Sequence, residues 1–205
     1  MDFFTNITVC SSTIYMTYPL VRSFLSATTP AFRQSKRKNY IVKNVLKSLV
    51  LPVLLVYAFF TILLHEEWDN VIVRRVASAY VANDLIGLLM CRLPITTCTH
   101  HIASCLFLIY AHTIDFNENK DAVLLFYYTL FSAASFPVNM YLGLRHCVNE
   151  LDKLRTVSKY VYVVSLALNW STQVIMGMGS WSYMMLLVCI VYDDIVLLRW
   201  LYKEI

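Results

Sequence analysis

Apolar residues in this chain come in blocks of about 18–23, and that clustering limits the folds open to it more than anything else in the sequence. Such a block carries a helix across ~30 Å of hydrocarbon at 1.5 Å per residue. Seven can be read along the 205 residues, at 7–27, 44–64, 71–93, 95–112, 122–144, 158–178 and 181–202. The second, NVLKSLVLPVLLVYAFFTILL, is the most continuous, whereas Pro19 and Arg22 interrupt the first. At about 20 residues each, seven spans leave about 65 residues for every loop and both ends, too few for a separate catalytic domain. Composition adds little. A hydrophobic share of 59%, Tyr included, stands only modestly above that of ordinary globular chains.

The blocks predict an all-α, multi-pass membrane protein of about seven transmembrane helices. Lys and Arg then set its orientation. All 17 of them, except Arg74, Arg75 and Lys120, fall at or near one side of the expected membrane. The alternate connections, HEEWDN (65–70) and HTIDFNENKDA (112–122), are acidic. The positive-inside rule places the N-terminus outside or in a lumen and the C-terminus in the cytosol. Glu66, Glu67 and Asp69 are near enough in sequence to pair with Arg74 and Arg75.

Ionisable residues within apolar spans cost about 2.5–3.5 kcal/mol each on insertion scales and mark a functional interior. Here they include Asp84, His100, His101, Asp193 and Asp194. Counted from the cytosolic span ends, these and the polar Ser135, Asn139 and Asn169 fall at depths of about 8–16 Å. Several spans thus contribute to one polar layer, which predicts a cavity open to the cytosol. Adjacent helical residues point about 100° apart, so one of His100 and His101 faces the cavity and the other packs between helices. Asp84 is either a functional carboxylate or the partner of a protonated His or of Tyr80. Ser135 and Asn139 share a helix face around Pro137, which removes one backbone hydrogen bond and invites a repaired kink. Arg199 or Lys47 could neutralise Asp193 or Asp194, and no clustered ligands point to a metal.

The remaining motifs have simpler readings. The six cysteines show no zinc or redox spacing, and no internal disulfide is expected. Asn6 and Asn169 begin glycosylation sequons, the second inside a span. The run Arg33-Gln34-Ser35-Lys36-Arg37-Lys38 serves as a topology signal or attracts anionic lipid at about 1 kcal/mol per basic residue. Without aromatic stacking groups it gives no sign of nucleic-acid binding.

Ala79-Tyr80-Val81-Ala82-Asn83-Asp84-Leu85, followed by His100-His101-Ile102, resembles the TLC-domain family, which includes ceramide synthases and translocating-chain-associated membrane proteins. Ser135-Phe136-Pro137-Val138-Asn139 is similar to a segment of the small members that reads Glu-Ser-x-Pro-x-x-Asn, with Ala134 in place of the Glu. The resemblance implies an N-terminal segment over 1–37 and a six-helix TLC-type barrel over 38–203, in the endoplasmic reticulum. It implies a protein that binds or senses membrane lipid in an intramembrane cavity, such as a sphingolipid or fatty acyl chain, and influences lipid homeostasis. Asp84, His100, His101, Ser135, Asn139, Asn169, Asp193 and Asp194 would line that cavity, with no cofactor and no metal. The alternative is a ceramide synthase-like N-acyltransferase of sphingoid bases that uses acyl-CoA. There His100 or His101 would be the base or nucleophile and Asp84 its partner. The second half of the synthase signature has no match in this chain.

Overall fold

The computed structural model describes residues 3–64 and 68–203. The described residues form α1 (Phe3–Thr28), α2 (Pro30–Gln34), α3 (Lys38–Ala58), α4 (Asn70–Met90), α5 (Ile95–Thr113), α6 (Lys120–Ala134), α7 (Phe136–Leu144), α8 (Asp152–Ile175) and α9 (Trp181–Lys203). The end of α3 loosens into a π-helical turn, Phe59–Leu63.

Local signals account for many of the boundaries. Asp69 caps α4, its carboxylate accepting from the amides of Val71 (2.7 Å) and Ile72 (3.3 Å). Asn119 caps α6 through the amide of Asp121 at 2.8 Å. Pro94 stands at the N-cap of α5. The α8–α9 connection turns at Gly177, whose φ of 76° lies in the region where a side chain is strained. Pro137 lacks the N–H that would continue α6, and the chain bends by 45° between α6 and α7.

Each apolar block is helical, but the step from apolar block to membrane crossing requires correction. Among the described residues one helix, the 26-residue Lys38–Leu63, is long and apolar enough to cross a membrane. A second is added only if the bent pair α6 and α7 is counted as one span. The expected seven-span, TLC-type barrel is therefore replaced by nine α-helices, among the described residues, packed around internal apolar clusters and buried ion pairs. The positive-inside orientation and the multi-pass placement in the endoplasmic reticulum fall with it, because both require several crossings. The physical reason lies in polar content: α4 carries Arg74, Arg75, Asn83 and Asp84, and α9 carries Asp193, Asp194 and Arg199.

Three apolar clusters hold the helices together. Phe107, Phe126, Tyr128, Tyr183 and Leu187 anchor the largest, among α4, α5, α6 and α9. Phe32, Ile41, Val42 and Ala82 tie α1, α2, α3 and α4 together. Tyr141, Tyr162 and Leu201 join α7, α8 and α9. Arg74 does not await an acidic partner. Its guanidinium donates to the carbonyls of Ala111 (3.3 Å) and Ile114 (2.9 Å); Glu66 and Glu67 lie outside the described residues. The six cysteines are free thiols, and Asn6 is buried.

Candidate functional site

A cavity of about 320 Å³ opens between α3, α5, α7, α8 and α9. Its foundation is a chain of buried charges. Lys43 and Lys47 stand four residues apart on α3 and so share one helix face. Lys47 Nζ donates to Asp84 Oδ1 on α4 at 2.5 Å, and Asp84 is fully buried. His101 Nδ1 approaches the same oxygen at 3.3 Å, while Lys43 Nζ lies 3.0 Å from His101 Nε2. Lys43 reaches this position by crossing α4 at Gly87, where a Cβ would stand 2.7 Å from Lys43 Cε. Any larger residue there would displace the ammonium.

These contacts fix the protonation pattern. Burial lowers the His101 pKa to about 3, Asp84 acting against it and Lys43 with it. In the neutral ring Nε2 accepts from Lys43, which leaves the proton on Nδ1, the nitrogen that faces Asp84. Burial opposes ionisation of Asp84, but His101 and the two lysines more than offset it and hold its carboxyl well below the usual range. One negative charge is thus clamped by two cations and an imidazole.

A second group faces it across the cavity. Asp194 accepts from Tyr162 Oη at 2.7 Å and Tyr128 Oη at 2.9 Å. Asp193 accepts from Thr97 Oγ1 at 3.2 Å. His100 Nδ1 lies 3.4 Å from Asp193 and 3.9 Å from Asp194. Burial raises the Asp194 pKa, with His100 and the two tyrosine hydroxyls acting against it. The adjacent imidazoles therefore serve different carboxylates: His101 faces α3 and α4, and His100 faces α9.

The cavity lining includes His100, His101, Ser135, Asn139, Asn169, Asp193 and Asp194, so seven of the eight residues singled out from the sequence meet there. Asp84 sits behind Lys47 and His101 and is not part of the lining. Neither Arg199 nor Lys47 neutralises the Asp193–Asp194 pair; Lys47 is engaged by Asp84. Sequence reasoning missed Tyr128, Tyr162 and Lys43 as members of the site. The available signal was Lys47 inside an apolar block with Lys43 one turn before it, at the block's edge, a pair that burial tolerates only with partners.

Among the described residues, the buried polar atoms of the lining that make no hydrogen bond within the protein include Nδ1 of His100 and of His101, which have only longer contacts to carboxylates, and Ser135 Oγ and Asn169 Oδ1. Ser135 Oγ and Asn169 Oδ1 are both inaccessible, in residues only 6% and 2% exposed. The Asn169 amide nitrogen faces Ser132 Oγ (3.4 Å) and the Tyr128 carbonyl (3.5 Å), which leaves the carbonyl oxygen turned away from both. Leu142, Leu166, Leu197 and Trp200 supply apolar surface to the same wall. Among the described residues no group of three or more His, Cys, Asp or Glu is placed to hold a metal ion.

No family model, curated protein or solved structure matches this chain. The resemblance to the TLC-domain family, read from the stretches around Asp84, His100-His101 and Ser135–Asn139, is therefore not upheld. The functions it implied, lipid sensing within the membrane with an effect on lipid homeostasis, or acyl-CoA-dependent N-acylation, lose their footing with the seven-span barrel.

Proposed function

We propose that the chain is a binding protein for a compact amphipathic molecule whose polar end donates hydrogen bonds, such as an alkyl amine or alcohol. One observation carries the reading: Ser135 Oγ and Asn169 Oδ1 are buried, without a protein partner, and belong to a cavity that also presents Leu142, Leu166, Leu197 and Trp200. Leaving a buried acceptor unsatisfied costs about 1–3 kcal/mol, and a ligand donor at that position recovers it. Asp193 and Asp194 add carboxylate acceptors on the same wall, whereas both lysines are engaged by Asp84 and His101. With both lysines so engaged, the two carboxylates favour an amine or hydroxyl over a carboxylate.

Size narrows the class further. A volume of 320 Å³ lies at the low end of the ~300–1,000 Å³ of small-molecule sites. Leu166, Leu197 and Trp200 would face the short alkyl chain of such a ligand.

Thermal unfolding of the full chain with octylamine, 1-octanol and octanoate tests the reading. The amine and the alcohol should raise Tm, with a stabilisation of about 2.7 kcal/mol at a concentration a hundred times Kd, and octanoate should do so far less. Equal or greater stabilisation by octanoate, or none by all three, would refute it.

A further inference from the structure

We propose a second site, for an anion carrying clustered phosphates, in a basic bowl that adjoins the mouth of the cavity. The bowl encloses about 740 Å³ and gathers Arg22 of α1, Lys36, Arg37 and Lys38 around the start of α3, Arg92 of the α4–α5 connection, and Arg145 after α7. No acidic residue lines it. Among the described residues, Arg22, Lys36, Arg37, Lys38 and Arg92 take part in no ion pair.

A basic run in sequence is usually a solvated face, and the fold is what makes this one different. Asn39 Nδ2 donates to the Met90 carbonyl at 3.2 Å and pins the start of α3 to the end of α4. Arg92 is thereby brought beside cations more than fifty positions earlier. Arg33, central to the run in sequence, is drawn off to the Ser26 carbonyl at 2.7 Å and is not part of the bowl. Lys43 likewise turns into the cavity. Two long helices, α3 and α5, begin at the bowl, and neither start has a side-chain cap. Their free amides and positive dipole ends add to the same field.

Like charges held in a concavity raise the local concentration of a multivalent counter-ion. Three phosphate monoesters at about −1.5 to −2 each total about −4.5 to −6, close to the charge of six cationic side chains. Guanidinium groups also grip phosphate through paired N–H donors. The shared chemistry is a cluster of phosphates, supplied either by a free polyphosphorylated molecule or by a phosphorylated lipid headgroup. The inference rests on the bowl alone and not on what occupies the cavity.

The test is binding of two probes to the full chain: inositol 1,4,5-trisphosphate in solution, and phosphatidylcholine vesicles containing phosphatidylinositol 4,5-bisphosphate. At least one should bind with an affinity that falls as salt is raised. Arg37→Gln/Arg92→Gln should weaken that binding at least tenfold, and Arg37→Lys/Arg92→Lys should largely retain it. Arg75→Gln/Lys153→Gln removes the same net charge elsewhere and should leave it unchanged. Binding of the soluble probe alone assigns the site to free phosphates, and binding of the vesicles alone assigns it to a headgroup. Absence of binding by both probes, or equal weakening by the Arg75/Lys153 pair, would overturn the proposal.

Discussion

At the scale of single residues, the buried carboxylate of Asp84 depends on Lys47. Lys47→Met removes the ammonium 2.5 Å from Asp84 Oδ1 and strands a buried charge, at an expected cost of about 3–5 kcal/mol. Lys47→Met/Asp84→Leu should recover most of that loss, which denaturant unfolding of the two single variants and the double variant measures. His101 supplies a pH dependence. Its folded pKa, about 3, lies below the unfolded value of ~6.5, so the unfolded chain binds more protons between these limits. Stability is complete above the unfolded pKa and declines as pH falls toward the folded one. Unfolding at pH 7 and pH 5 should differ by on the order of 1–2 kcal/mol more in the native protein than in His101→Gln. Much of this site was legible in the sequence, because ionisable residues amid apolar ones announce themselves. Their partners were not. Nothing in the local pattern links Lys43 to His101 or Tyr162 to Asp194, since those contacts depend on how distant helices are set beside one another.

At the scale of helices, hydropathy located the elements and misjudged their surroundings. The block at 122–144 contains the 45° break at Ser135, and Pro137 in the sequence already pointed to it. What ties the bent segment down was not legible: Ser158 Oγ, from α8, donates to the Pro137 carbonyl at 2.9 Å and is fully buried. Ser158→Val should cost about 0.5–1.5 kcal/mol by removing that one buried hydrogen bond between α8 and α7, measured as a shift in denaturant midpoint at unchanged slope. A helix rich in apolar residues suits a bilayer or the interior of a helical domain alike. The sequence could not tell the two apart, because the difference resides in the partners of Lys47, Asp84 and Asp194, each engaged by another helix.

At the scale of the whole molecule, the exterior is strongly apolar. Phe4, Met16 and Leu20 on α1, Val53 on α3, Leu89 on α4 and Trp181 and Met185 on α9 are all at least two-thirds exposed. Patches of this extent seek cover. Light scattering after gel filtration should find a single-chain species in mild non-ionic detergent and larger assemblies when the detergent is removed; a monodisperse monomer in plain buffer would contradict this. Inside, the cavity and its two carboxylate groups form one unit, and binding there is the claim on which the functional reading stands. Its most direct test is calorimetric titration of octylamine into the native protein and into Asn169→Leu. The variant removes an unsatisfied buried acceptor together with two long amide contacts, so the free protein should stay within about 1 kcal/mol of the native one, while octylamine binding weakens at least tenfold. Undiminished binding by Asn169→Leu, or no binding by the native protein, would contradict the account.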